Sequence, residues 1–385
     1  MLLVRILVVP RDFCTMKVAL LGLPGAGKTS LGRRLSSLLS IPCIDVDDDI
    51  LEPTWGCTVA EKLAKVGDQK FLQAEEEALL EVGFSKKKLP LIPQAGLPKE
   101  DGILACTGSN CLGDRAMQRL ESEGWLFVWI DVHPDDVLAR LKCMKVSRIV
   151  GQTSSPMADV LQARIPSYRR WHHARVLAGR GWDLDTLEKE LVRVVERLRT
   201  GTEGSLSTTR GSGVHSLDSA ILGGLAPCGG LYLPSRLPDS FTLLQLGRML
   251  GSSYTDVAEI VLAKLFHPKE FPPSQIQDIV NQAYSNFEHS AVVPVTQLEE
   301  GLYLSELFHG PTGSFKDLAL QLTPQLVARA LEKTDDRSLV LVATSGDTGS
   351  AVLEVRICCS FYIHFTFYCV VRALASLEVA SLGCL

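Results

Sequence analysis

Gly22-Leu23-Pro24-Gly25-Ala26-Gly27-Lys28-Thr29 is the stretch that most restricts how this chain can fold. The apolar run Lys17–Leu21 before it reads as a buried parallel strand, and the pattern over Lys28–Leu39 behind it reads as a helix. A G-x-x-x-x-G-K-T run between strand and helix is a P-loop. Its glycines let the backbone wrap a phosphate with N–H groups, and the helix dipole points at the same anion. Gly22, Gly25, Ala26, Gly27, Lys28 and Thr29 are therefore candidate nucleotide ligands, with Lys28 reaching the terminal phosphates and the Thr29 hydroxyl offered to Mg²⁺. That chemistry calls for ATP with Mg²⁺. The alternative is a glycine-rich loop with no ligand.

The segments after the P-loop extend an α/β pattern. Pro42–Val46 reads as a strand ending in Asp45-Val46-Asp47-Asp48-Asp49. On an extended strand end, Asp45 and Asp47 share one side, so one can order a magnesium shell while the other binds an acceptor hydroxyl. An acidic helix start near Asp48 is the competing reading, and both can hold. Gly102–Ala105 and Leu126–Val132 read as further strands, and the alternation implies a parallel sheet covered by helices on both faces. An amphipathic helix over Trp182–Arg199, with Asp185 and Glu188 at capping-box spacing, closes this part. His172 and His173 are adjacent, point apart on a helix, and read as a solvated face rather than a metal pair.

These motifs resemble shikimate kinases over about residues 16–200. Asp45 and Asp47 fit that family's Asp-x-Asp, which implies Thr29 and Asp45 at the metal and Asp47 at the acceptor. Arg148 fits its lid arginine at the nucleotide, and Arg164 an acceptor-binding arginine. Two positions depart from the pattern. Leu72 follows Gly67-Asp68-Gln69-Lys70-Phe71 where the family has an arginine, and Thr107-Gly108-Ser109 stands for a glycine triplet. A carboxylate acceptor that loses a bidentate arginine loses geometry as well as charge, so shikimate is not the expected acceptor.

The second half turns on Phe308-His309-Gly310-Pro311-Thr312-Gly313-Ser314-Phe315-Lys316-Asp317. Gly310, Pro311 and Gly313 make a turn-rich run that presents Lys316 just before an apolar segment, Leu318–Leu331, that reads as a helix. A lysine in a dry pocket loses proton affinity, and the neutral amine can form a Schiff base. On the residues alone, a solvated loop lysine is the alternative. A second run, Ala343–Ala351, follows the strand-like Ser338–Val342 and offers N–H groups and hydroxyls to an anion. Together the two runs resemble threonine synthases, enzymes that use pyridoxal 5′-phosphate. The resemblance implies that Lys316 carries the cofactor as an aldimine, and that Thr344, Ser345, Gly346, Asp347 and Thr348 hold the substrate carboxylate and the cofactor ring. Thr208-Thr209-Arg210-Gly211 and Leu225–Pro234 resemble that family's N-terminal signatures, with Cys228 where the family usually has Asp.

The whole order resembles threonine synthase-like proteins with a fused kinase-like N-terminus, over about residues 16–354. It implies phosphate elimination from a phosphorylated hydroxy amino acid. The rivals are a P-loop small-molecule kinase with a vestigial second domain and a non-catalytic binding module. The expected organisation is an N-terminal extension 1–15, a P-loop domain 16–200, a linker 201–205, a threonine-synthase-like segment 206–354 and an apolar tail 355–385. In the family a phosphate-binding loop lies beyond Glu354, so the expectation is a shortened domain with a foreign tail, an unfinished sheet and a weak hold on the cofactor. At 385 residues with 46% apolar content, two cores are affordable. A formal net charge of −5 gives no basic footprint, which argues against nucleic-acid binding. Eleven cysteines form no Cys-x-x-Cys pair, so no zinc site is expected and a reducing compartment fits. The expected location is cytoplasmic, with mitochondrial as the alternative. No membrane association is expected, and the pattern leaves the oligomeric state open.

Overall fold

The computed structural model describes residues 16–84, 97, 101–144, 149–199, 206–334, 338–344, 346–354 and 363–369. The chain divides into two compact units, Met1–Thr200 with Leu243–Arg248, and Gly201–Thr242 with Met249–Leu385. The first unit is built on five parallel strands: β1 (Lys17–Leu21), β2 (Cys43–Asp45), β3 (Gly102–Ala105), β4 (Trp125–Asp131) and β5 (Ala174–Leu177). Their order across the sheet is β2-β3-β1-β4-β5. β1 lies between β3 and β4, in register Val18 to Ile103 on one side and Val18 to Leu126 on the other. A central strand covered on both faces must be apolar throughout, and Ala19, Leu20 and Leu21 are fully buried. The P-loop leaves the C-terminal end of this strand, where open α/β sheets place their ligands.

The helix expected after the P-loop runs Lys28–Leu39. Three other expectations are corrected. Extended geometry stops at Asp45, and Val46–Leu51 forms a π-type helical turn with Asp45 as its N-cap. Its carboxylate accepts from the Asp47 and Asp48 amides at 3.0 and 3.2 Å, so period-two geometry does not relate Asp45 to Asp47. The last helix is Leu184–Arg199, and Asp183 caps it through the Thr186 amide. Asp185 and Glu188 instead accept from Arg34 at 2.5 and 2.7 Å. His172 and His173 leave the helix Met157–Trp171 and enter β5. His172 is buried with Nδ1 against the Tyr168 and Arg169 carbonyls, and burial drives His173 down to about 4.

A segment expected to sit with the second half is part of the first unit. Gln245 donates to the Leu177 carbonyl at 3.0 Å, and Arg248 joins Arg175 on buried Asp131. Burial alone would raise the Asp131 carboxyl; the two guanidiniums beside it hold it below the usual carboxylate range.

The second unit packs a smaller core of Phe271, Ile276, Ile279, Val280, Ala283, Tyr284, Val292 and Leu326, mostly from the helix Pro273–Tyr284. Its sheets are two-stranded. Leu206–Thr208 pairs antiparallel with Tyr232–Pro234, which joins the two signatures 208–211 and 225–234. Val295–Glu299 and Leu302–Ser305 form a hairpin exposed along both strands. The segment expected as one helix after Lys316 is two, Asp317–Leu320 and Thr323–Glu332. Ser338–Thr344, expected to border an unfinished sheet, pairs in parallel with Ile363–Cys369 of the tail. Apolar, β-branched and aromatic composition suits that stretch to a strand, although its motifs resemble nothing in the family. Among the described residues, no helix is long and apolar enough to cross a membrane.

Candidate functional site

A cavity of about 830 Å³ opens over the P-loop. One end is lined by Gly25, Gly27, Lys28 and Thr29, with Arg140 and Trp182 beside them. Gly22, Gly25 and Gly27 all have positive φ, of 149°, 79° and 95°. At Gly22 the requirement is also one of space, since a Cβ would stand 2.7 Å from the Ile130 carbonyl oxygen. Ala26 is fully buried beneath the loop. Lys28 Nζ donates to the Gly22 and Leu23 carbonyls at 2.8 and 3.1 Å. Burial lowers its pKa to about 8, against the opposing pull of Asp47.

The Thr29 hydroxyl donates to Asp45 Oδ2 at 2.5 Å. This pair of hard oxygens is the donor set that Mg²⁺ takes when phosphates and water complete its shell. No group of three or more His, Cys, Asp or Glu that could hold a metal occurs among the described residues. It is the Thr29–Asp45 oxygen pair that fits magnesium.

The same cavity is also lined by Asp47, Glu75, Thr107, Ser109 and Arg164. Glu75 comes from the helix Asp68–Phe84, one turn beyond buried Phe71, and was not singled out by the sequence. It is 2% exposed, and its Oε1 accepts from the Thr107 and Ser109 hydroxyls at 2.6 and 3.0 Å. Burial pushes its carboxyl up to about 7, against those two hydrogen bonds. Arg164, 4% exposed, donates to the Gly108 and Val150 carbonyls, both at 2.8 Å. One turn along the same helix, Tyr168 Oη lies 2.7 Å from the Gly108 carbonyl and 3.0 Å from that of Gly22. Gly108 is tied so closely that a Cβ there would sit 2.8 Å from Pro24 and 3.0 Å from Arg164. Leu72 packs against the core beside Phe71. Arg148 lies outside the described residues.

Arg140, Trp182 and Glu75 are the site residues that motif reading missed. The signal available for Glu75 was its i+4 spacing from Phe71, which places it on the same helix face.

In the second unit, Lys316 is half-buried at the start of the helix Asp317–Leu320. The turn before it is held by fully buried Asp317, which accepts from the Thr312 amide at 2.9 Å and the Thr312 hydroxyl at 2.8 Å. Gly310 is required there, because a Cβ would collide with the Asp317 carboxylate. Gln321 donates to the Ala351 carbonyl at 3.0 Å, tying the Lys316 segment to the helix Asp347–Leu353. The two motif runs are thus neighbours. Gly346 and Asp347 are exposed and Thr348 is half-buried; Thr344 ends its strand, and Ser345 lies outside the described residues. Phe315, whose ring lies under Lys316 Nζ, is 61% exposed, and Phe308 of the same loop is 58% exposed. The lysine therefore stands at a wetted surface, which does not fit the dry pocket that a Schiff-base lysine needs.

Two family models match the chain: shikimate kinase over residues 24–191 and threonine synthase N terminus over residues 206–284. Threonine synthase-like 1 of Homo sapiens is 36% identical over 348 residues, covering 88% of this chain and 44% of the relative. The chain thus spans less than half the length of that relative. Threonine synthase of Pseudomonas aeruginosa is 40% identical over 148 residues, covering 38% of this chain and 31% of its own. A crystal structure of threonine synthase from Brucella melitensis with bound pyridoxal phosphate is 38% identical, with a TM-score of 0.40, and covers 43% of this chain and 35% of that one.

Proposed function

Because the chain is a homologue of the threonine synthase-like 1 proteins, with a shikimate-kinase-like part and a threonine-synthase-like part, we propose that its first unit binds ATP with Mg²⁺ and phosphorylates a small molecule. We propose further that the second unit holds pyridoxal 5′-phosphate only weakly at Lys316. The observation that carries the first statement is the single cavity lined by the P-loop, the Thr29–Asp45 oxygen pair and a buried polar wall. P-loop amides of Gly25 and Gly27 surround the phosphates, and Lys28 exchanges its two carbonyl partners for phosphate oxygens. Transfer breaks the bond between the γ-phosphorus and the β–γ bridging oxygen of ATP, which leaves on ADP, and forms a bond from phosphorus to the acceptor oxygen. The hydroxyl proton passes to Asp47, and Lys28 offsets charge on the moving group. Magnesium, held through Thr29 and Asp45, neutralises the phosphates when bound.

In the threonine-synthase-like unit, the resemblance assigns Lys316 to the cofactor, and the loop stapled by Asp317 supports its presentation. Pyridoxal phosphate supplies an electron sink to the proteins that hold it. The exposure of Phe308 and Phe315 does not fit retention, so no step through the cofactor is derived. A thermal-shift pair tests the assignment: ATP with Mg²⁺ raises the melting temperature, and pyridoxal phosphate leaves it nearly unchanged. No shift with ATP would remove the kinase reading, and a large shift with pyridoxal phosphate would move the working site to the second unit.

A further inference from the structure

The part of the cavity wall built from Asp47, Glu75, Thr107, Ser109 and Arg164 has the wrong charge for a carboxylic acid. Its acids are Asp47 and Glu75, and its guanidinium, Arg164, has both terminal nitrogens on backbone carbonyls. Each terminal nitrogen is thereby anchored by one buried bond, so Arg164 meets a ligand only with its remaining N–H groups and in an orientation those carbonyls fix. Where a related pattern has a second arginine, this chain carries Leu72, partly buried against the core. Thr107 and Ser109, where a related pattern has bare glycines, add two hydroxyls that Glu75 has already oriented. Both hydroxyl protons go to Glu75 Oε1, and Thr107 Oγ1 also accepts from the Ser109 and Asn110 amides, so toward a ligand this cluster offers acceptors, Ser109 Oγ and the Glu75 carboxylate, which suit a ligand hydroxyl that donates. An anionic ligand group here meets two acids in a desolvated pocket, where like charges repel far more strongly than in water.

The geometry points to an acceptor that is a neutral polyhydroxylated small molecule, held through its hydroxyls by the Glu75–Thr107–Ser109 cluster, and not a hydroxy acid. This rests on the proposed nucleotide site, because both sets of residues line one cavity. The titration of Glu75 agrees with it. With a pKa near 7, its carboxyl can accept from a ligand hydroxyl or donate to one, whereas a ligand carboxylate is matched only by the protonated form.

The test is a matched pair: shikimate, and the same ring with hydroxymethyl in place of the carboxylate. Each is titrated calorimetrically into the full chain, with and without a non-hydrolysable ATP analogue and Mg²⁺. The hydroxymethyl compound should bind at least about tenfold more tightly, a difference of about 1.4 kcal/mol. In Glu75→Gln the preference should shrink several-fold because one of the two repelling acids is gone. If that variant fails to fold, Thr107→Gly with Ser109→Gly gives the second reading, and should weaken the polyol while leaving nucleotide affinity unchanged. Equal affinity, preference for the carboxylate, or no binding of either compound overturns the inference. Loss of nucleotide binding with the polyol preference intact would instead strike the kinase assignment alone.

Discussion

The P-loop and the Lys316 loop are both glycine-rich turns that present a lysine at the start of a helix, yet they differ in what surrounds the amine. Lys28 is 8% exposed and packed against two carbonyls, with Leu31 and Leu35 of its own helix fully buried below. Lys316 is half-buried with its Nζ 5.8 Å from the centre of the exposed Phe315 ring. The same contrast extends to the units. Among the described residues, the first unit exposes Leu38 and Leu112 with Leu243, Leu244 and Leu246 of its inserted segment, while the second unit exposes Leu225, Leu231, Leu237, Leu250 and both strands of the 295–305 hairpin. A motif fixes backbone shape locally, but the electrostatics of a lysine depend on how much protein lies around it. Low dielectric makes Lys28 an amine of perturbed affinity.

The largest expected effect is on the nucleotide. Lys28→Met should lower affinity for ATP with Mg²⁺ at least about a hundredfold by calorimetry, roughly 2.7 kcal/mol. The same variant sharpens the contrast through pH. Lys28 has a folded pKa of about 8 against 10.5 when unfolded, so between those values the unfolded chain binds more protons and stability rises with pH. Lys28→Met should lose that rise and be more stable than the parent at pH 7. Unchanged nucleotide affinity would show that the buried lysine is structural.

A smaller change is expected at Asp317. Asp317→Ala leaves the Thr312 amide and hydroxyl without their acceptor and should cost about 1–3 kcal/mol in chemical denaturation. Hydrogen exchange of the Thr312 amide should quicken, with the strand β1 unaffected. If β1 is also deprotected, the two regions are not energetically separate.

The third effect is a slope. Burial raises Glu75 to about 7 from 4.5, so in that window the folded state binds more protons and stability falls as pH rises. Melting temperatures from pH 4.5 to 7 should show this fall in the parent and a flatter profile in Glu75→Gln. Identical profiles would mean that Glu75 is solvated in solution.

The smallest signal belongs to Lys316. After incubation with pyridoxal phosphate and borohydride reduction, mass spectrometry should find Lys316 labelled in a minor fraction of molecules, comparable to other surface lysines. Stoichiometric labelling, lost in Lys316→Ala, would erase the contrast and give the second unit a working cofactor site.

The P-loop, β1, the helix behind it and β3 were legible in the residues, because their signals are local: an apolar run, a glycine pattern and a helical period. The Lys316 turn was legible for the same reason. The hydrogen-bonded wall around Glu75 was not, since it joins Asp68–Phe84 to the loop after β3, and pairing across that distance leaves no mark in spacing. Asp45 and Asp47 were placed on one strand because period-two geometry was carried one residue too far, past the cap that Asp45 itself makes. Ser338–Thr344 found its partner in Ile363–Cys369, a stretch whose motifs pointed to no family, because strand pairing asks only for compatible backbone and apolar side chains. The sequence by itself determined which backbone can hold a phosphate and which lysines are presented. Tertiary packing alone decided which of them is buried, because burial is a property of what folds over a residue from elsewhere in the chain.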